Sequence, residues 1–519
     1  MSPASAASFV ILTDVAGGRK NTPQRLGLES LPLKIRSPFT QSPCSQFACG
    51  LLIAIATLAL SSCHSAAFYY YKFPTFTFAN RPIPPSRLAN RVMVSVTVNG
   101  TQGTLPILDG LRDIRSNIQN TIPTFSIAGY SAAFPFLILN FPEQVHGYVL
   151  SDDGKLQTID YGKEAAAGVA GTFAPKTPSA AVANSFNHVY AASDSTGQLT
   201  VLDNTTGRSY GLNLPNVYKV AVNDGDTVVL AMVRNSNTLY RLIKLNANQP
   251  TPPGSVDCQP VNLPVYCVVP VPDSTTKPSF DRPVGAYFSL DGTTAYILNC
   301  GRECGGSTSS VTLVQQGALT IDVNTPPYPA AVSNSVAIPG GVTTALAKGT
   351  TLYLAGQQLQ PDGLFAGMLT LLDLNSLTPG QPIPISDGNH SKLLFADDNT
   401  LWIGSQFCAT GERQKQGLNY NCLTRYDLGA GTAQIFPSVN PQDPNSSVPY
   451  PNSSQNQYYY GDLTGICWVQ ALHKVYTAYG GQVHAFNTAD GSEINNQFIT
   501  VQGIALDVAY LDAITNADN

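Results

Sequence analysis

From residue 91 onward one phrase recurs: an apolar strand, a turn, an alternating strand ending in Asp or Asn, and another turn. The clearest copy is HVYAASDSTGQLTVLDNTTG at 188–207, and HKVYTAYGGQVHAFNTADG at 473–491 matches it closely. Six looser copies are RVMVSV with TLPILDG, HGYVLSDDGKLQTIDYG, TVVLAMVRNSNTLYRLIKLN, TAYILNCG with ALTIDVN, TLYLAGQQ with GMLTLLDLN, and TLWIGSQ with CLTRYDLG. A sheet module of this size cannot bury its apolar faces alone, so copies must stack on one another. The repeat therefore decides the architecture before local propensities do.

Each pair is preceded by a further apolar strand (SAAVANSF, YKVAVND, VGAYFSL, GVTTALA, KLLFADD, LTGICWVQ). A more polar strand such as RSYGLNL or GQPIPIS follows it. The spacing of 43 residues from Asp160 to Asp203, and of 41 on to Lys244, suits a four-stranded blade with short turns. The expectation is an all-β chain, a single β-propeller of four-stranded antiparallel blades. Eight blades are favoured; seven would require the copy at 91 to be something else. The stretch GIALDVAYLD at 503–512 is an innermost-type strand without successors, and the copy at 91 lacks one. Pairing these two ends would close the ring, which limits the exposed-edge problem of sheets.

The acids that end the alternating strands are Asp109, Asp160, Asp203, Asp322, Asp373 and Asp427, with Lys244 and Asn487 in the two other copies. A short acceptor after an extended run bonds the next backbone N–H groups and closes a turn, so these read as turn residues rather than catalytic acids.

Residues 48–62, ACGLLIAIATLALSS, form an apolar run too short for a comfortable membrane span but suited to a signal core. Arg19, Lys20, Arg25, Lys34 and Arg36 precede it, and Leu60-Ser61-Ser62-Cys63 follows. That string resembles the lipobox of bacterial lipoproteins, which implies that the Cys63 thiol is lipidated and the chain cut before it. The expected organisation is 1–62 extension and signal peptide, 63–90 tether, 91–512 propeller and 513–519 tail. The repeat itself, in HVYAASD, KVYTAYG and SLDGTTAYILNCGRECGG, resembles the YVTN family of bacterial β-propellers and in particular its exported, lipid-anchored members. The resemblance implies a protein of the bacterial cell envelope, held by its lipid at the outer membrane, since His64 rather than Asp follows the cysteine, and facing the periplasm or the cell surface.

Charge excludes some partners. Charged residues make up 12% of the chain, against about 25% in an ordinary globular protein. The formal net charge is −5 with no dense basic run, so a nucleic-acid surface is not expected. HExxH, GxxxxGK[ST] and GxGxxG are missing, and no cofactor, metal or catalytic constellation is recognisable. Gly129-Tyr130-Ser131-Ala132-Ala133 looks like a nucleophile elbow but lacks the final glycine and sits among strands.

Inserted loops should gather on one face of the wheel. Residues 249–283 and 438–460 are placed between blades. Residues 301–317, 357–367 and 406–421 fall between second and third strands. Rigid scaffolds present binding residues on such loops. The candidate binding residues are His390, at a blade junction near the axial mouth, and Tyr450, Tyr458, Tyr459 and Tyr460, whose rings and hydroxyls suit a protein or glycan ligand.

Six of the seven cysteines after Cys63 are near neighbours within or beside these loops. In an oxidising compartment they would pair as Cys258–Cys267, Cys300–Cys304 and Cys408–Cys422. The CGREC spacing is not the Cys-x-x-Cys usual for zinc, and Cys467, in an apolar strand, is expected to be a buried free thiol. The functional expectation is a lipid-anchored binding or scaffold protein that works through its loop-rich face. The alternatives are a lactonase- or lyase-type enzyme at the channel mouth and a surface adhesion protein.

Overall fold

The computed structural model describes residues 83–513, with the exception of 115–124, 142–145, 184, 186, 247–248, 261–263, 275–277, 323–330, 409–420, 437–460, 495–498 and 500. Residues 1–82 and 514–519, and with them Cys63 and the tether, lie outside the described residues, as do Tyr450, Tyr458, Tyr459 and Tyr460.

Eight antiparallel sheets form the eight blades of a β-propeller. Blade 1 joins the two ends of the chain. Ile504–Tyr510 is its innermost strand and pairs with Arg91–Val98, from Val92 opposite Tyr510 to Thr97 opposite Ile504. Gln102–Thr104 and Ile107–Asp109 follow, and a bridge to Ser126 begins the outer edge. Blades 2 and 3 begin at Pro135–Leu139 and Ser179–Val182. Blade 4 begins at Val217–Val222, blade 5 at Pro283–Phe288 and blade 6 at Thr344–Lys348. Blades 7 and 8 begin at Asn389–Ala396 and Leu463–Val469.

Position within a blade explains composition. Second strands such as His188–Ser193 and Lys474–Tyr479 are buried on both faces because neighbouring blades sandwich them, so they read as unbroken apolar runs. The outermost strand Arg208–Asn213 alternates exposed and buried residues. The core lies between blades rather than within them. Between blades 7 and 8, Trp402 is fully buried with its ring centroid 6.1 Å from that of Phe436 and 6.0 Å from that of Phe486. Each such side chain removed from water contributes about 2–3 kcal/mol.

The turn acids act as the sequence implies. Asp203 accepts from Thr205 N at 2.9 Å and Thr206 N at 3.2 Å, Asp373 from Asn375 N and Ser376 N, and Asp427 from Gly429 N and Ala430 N. At Asp203 burial is the largest single influence and pushes the carboxyl up, but the Thr205 and Thr206 donors together outweigh it; at Asp373 and Asp427 the backbone donors lead, and all three carboxyls lie below the usual carboxylate range.

Three expectations about the insertions are corrected. The third strand of blade 5 is Ser310–Gln315, not ALTIDVN; a 3-10 turn at Gln316–Ala318 turns the chain away, and Ile321 bonds Thr227 and Lys244 of blade 4. Asp322 is therefore not a blade turn residue. Residues 249–283 are not purely an inter-blade loop, because Val265–Pro270 and Asp257–Gln259 extend blade 4 to five strands. Residues 357–367 are mostly hairpin, since Thr351–Leu359 and Phe365–Asp373 stay paired up to a short turn.

Candidate functional site

Innermost strands line the axis, and six of the eight share one irregularity. The register slips between Pro135 and Leu137, Val217 and Lys219, Pro283 and Gly285, His390 and Lys392, and Leu463 and Gly465. In the C-terminal strand the slip falls between Ala505 and Asp507. Each slip is a β-bulge that re-aims the residue after it. Leu137, Lys219, Gly285, Lys392, Gly465 and Asp507 therefore form one ring around the axis.

That ring concentrates charge. Asp507 is buried, and its Oδ2 accepts from Ile138 N of blade 2 at 2.9 Å while its Oδ1 accepts from Val508 N at 3.0 Å. Lys392 Nζ of blade 7 lies 3.5 Å from Asp507 Oδ1. The contact passes blade 8, where only glycine fits. A Cβ on Gly465 would stand 2.5 Å from Asp507 Oδ1 and 2.6 Å from Val508 N. Burial pushes the Asp507 carboxyl above its ordinary range, with Lys392 and the two backbone donors opposing.

Lys219 of blade 4 occupies the same ring position. Its ammonium group lies 3.5 Å from where a Gly285 Cβ would be, over the innermost strand of blade 5. Ala221, two residues along, lines the axial cavity, whereas Lys219 is half-buried and is not part of that lining. Among the described residues Lys219 has no carboxylate or hydrogen-bond partner, and burial alone pushes its amine below the ordinary lysine range.

Above the ring lies a cavity of about 830 Å³. Its wall combines apolar residues from several blades, Ile138, Val182, Leu394, Ile466 and Trp468 among them, with Lys392 and Asp507. Asn223, Asp224, Asp291 and Gln470 stand at the turns between first and second strands. The cavity thus gathers at the short-turn end of the axis, not at the loop-rich face that the insertions suggest. On the loop-rich face there is a smaller recess of about 310 Å³ beside Arg302, Gln357 and Leu359. Cys467 lies outside the three disulfides and is buried in the channel wall.

The other candidates fall elsewhere. His390 does not reach the mouth. It is 2% exposed, its Nε2 bonds Ser386 O at 2.8 Å, and burial lowers its pKa to about 4, so it is a neutral core histidine. The reason is local: the bulge after His390 turns Lys392, not the imidazole, toward the axis. His188 and His473 both bind an aspartate in the first turn of a neighbouring blade, Asp226 at 2.7 Å and Asp398 at 2.8 Å. Three disulfides join Cys258–Cys267, Cys300–Cys304 and Cys408–Cys422. The first links directly opposed residues of two outer strands in blade 4. The second closes a turn whose Glu303 accepts from Gln357 N and Nε2 of blade 6, both at 2.9 Å.

Sequence reasoning passed over Lys219, Lys392 and Asp507. The available signal is a single charge inside an otherwise apolar innermost strand, in YKVAV, SKLLF and ALDVA.

No protein-family model matches the chain, and no curated protein matches it. Solved structures match the chain at low sequence identity. Dihydro-heme d1 dehydrogenase NirN, in complex with DHE, is 13% identical over 85% of this chain and 82% of its own, with a TM-score of 0.48. The β-propeller domain of Myceliophteria thermophila Cps50 (Swd1) is 11% identical over 71% and 99%, with a TM-score of 0.43. Kuenenia stuttgartiensis hydrazine synthase is 13% identical over 72% and 99%, also at 0.43.

Proposed function

We propose that this protein is an exported, lipid-anchored β-propeller of the bacterial cell envelope, similar to the YVTN family, that binds a small organic ligand in its axial channel. The observation that carries the binding reading is the channel itself: about 830 Å³ framed by the blades, with a wall of mixed apolar and polar side chains and a few placed charges. Apolar patches such as Ile138, Leu394, Ile466 and Trp468 can hold the hydrocarbon part of a ligand while the neighbouring polar groups fix its orientation. Three disulfides fit a chain that works in an oxidising compartment. Leu60-Ser61-Ser62-Cys63 supplies the anchor.

Two measurements test this. Cys63→Ala is expected to release the protein from membranes, and unchanged membrane fractionation overturns the lipid anchor. The full chain carrying Cys63→Ala should bind the neutral probe N-phenyl-1-naphthylamine, with energy transfer from Trp468 in the cavity wall. Ala286→Trp, which fills the cavity from blade 5, should abolish that binding. Equal binding by the filled variant overturns the channel as the site.

A further inference from the structure

The axial cavity is not electrically balanced. Among the described residues three carboxylates line it, Asp224, Asp291 and Asp507, against one ammonium group, Lys392. Lys392 and Asp507 stand 3.5 Å apart and offset each other. The surplus negative charge therefore sits on the turns between first and second strands of blades 4 and 5, which carry Asp224 and Asp291. Hydrogen bonds fix those two turns to each other. Asn223 Nδ2 donates to Gln316 Oε1 at 3.0 Å, Gln316 Nε2 donates to Ser289 O at 3.3 Å, and Ser289 Oγ donates to Asp291 Oδ1 at 2.6 Å. Thr293 N and Oγ1 also donate to Oδ1, while Oδ2 accepts from none of the described residues. These donors, Ser289 Oγ first, hold the Asp291 carboxyl below its ordinary range, so it is ionised near neutrality.

We infer that the axial cavity takes a small amphipathic organic cation, an amine whose charge rests at the mouth beside Asp291 and Asp224 and whose hydrocarbon lies against the apolar patches of the wall. The inference rests on the reading of the channel as the binding site and adds the charge and chemical class of its ligand. Phe288 and Trp468, from blades 5 and 8, line the cavity and supply aromatic surface that suits both hydrocarbon and a cation. Leu290, next to Asp291, also lines the cavity and is 71% exposed, an apolar side chain that a bound hydrocarbon would cover. The field around the mouth has the same sign. Asp203 and Asp373 stand on this end of the wheel, because each closes a turn from third to fourth strand, and both lie below the usual carboxylate range. A cleft that opens amid charges of one sign concentrates counter-ions at its entrance. An anion meets that field as a barrier, and an uncharged ligand does not feel it.

The test compares two ligands with one aromatic body, 1-naphthylmethylammonium and the uncharged 1-naphthalenemethanol, by calorimetric titration into the full chain carrying Cys63→Ala. Asp224 and Asp291 are exposed, so their attraction is modest and screened by salt. At low ionic strength the ammonium ligand should bind about fivefold more tightly than the alcohol. Added salt should shrink that gap. Asp224→Asn combined with Asp291→Asn should close it and leave the alcohol unchanged, since an asparagine oxygen still accepts from Ser289 and Thr293. Ala286→Trp should abolish binding of both ligands. Equal affinity of the parent for the two ligands overturns the inference and leaves the channel reading standing. So does a gap that survives the double substitution. Binding of neither ligand overturns the inference as well, and N-phenyl-1-naphthylamine then decides whether the channel reading falls with it.

Discussion

Arg91 and Asp512, 421 positions apart in the chain, meet in a fully buried ion pair at 2.7 Å. The carboxylate also accepts the Arg91 backbone N–H, and Glu164 takes the other arm of the guanidinium at 3.1 Å. Removing Asp512 takes away the carboxylate that meets three of the Arg91 donors and leaves Glu164 to oppose a buried guanidinium. Asp512→Ala should cost about 3–5 kcal/mol in urea unfolding. The double variant Arg91→Met, Asp512→Leu should cost less than the sum of its singles. Wild-type stability in Asp512→Ala would show that this contact does not hold the wheel shut.

His390 makes stability depend on acidity. Its pKa falls from an ordinary 6.5 to about 4 on folding, because burial disfavours the imidazolium. Above 6.5 the folded and unfolded chains are both neutral at this position and the term vanishes. As pH falls from 6.5 toward 4 the unfolded chain binds a proton that the folded chain refuses, so stability is lost, by up to about 3 kcal/mol. His390→Gln should flatten that part of the pH profile. The check is the difference in urea midpoint between wild type and variant at pH 7 and pH 4.5; a constant difference refutes it.

Asp507→Asn removes the charge that occupies Lys392 while retaining an acceptor for Ile138 N. Lys392 then faces the cavity unopposed. Affinity for 8-anilino-1-naphthalenesulfonate, an anionic relative of the neutral naphthylamine probe, should rise about tenfold, since one unit of charge a few ångströms away is worth more than 1 kcal/mol in a partly enclosed site. The neutral probe should not respond. A fall in anion affinity would mean that Asp507, not Lys392, organises the ligand end of the channel.

The disulfides should rank by the loop they close. Cys408–Cys422 spans 14 positions and Cys300–Cys304 spans 4. In the chain-entropy account the first contributes about 3 kcal/mol and the second about 2 kcal/mol. Serine pairs at each site, compared by thermal unfolding, should show the larger loss at 408 and 422. The reverse order would mean that Glu303 on Gln357, fixed by the short loop, matters more than loop entropy.

Much of the wheel was legible in the residues. Period-two strands ending in Asp203, Asp373 or Asp427 name both a strand and its turn, and the unmatched strand at 503–512 names the closure. The reading failed where two runs carry the same pattern. SVTLVQ and ALTIDV are equally β-like, and the compact turn at 300–309, closed by the Cys300–Cys304 bond and by Gly306 N on Gly301 O, brings Ser310–Gln315 back along Thr294–Asn299 first. His390 misled because its neighbour's bulge, invisible in composition, decides which side chain faces the axis. The charged ring escaped for the same reason. Lys219, Lys392 and Asp507 are far apart in sequence and share a level only because their strands slip at the same point.

Blade 1 draws its innermost strand from residues 504–510 and the rest from residues 91–127. The ribosome therefore delivers the beginning of this sheet long before its keystone. Until that last segment arrives, Val92, Val94 and Val96 have no partner along one edge, and the circle stays an arc. A chain built this way remains open throughout its synthesis and commits to its shape in a single late step.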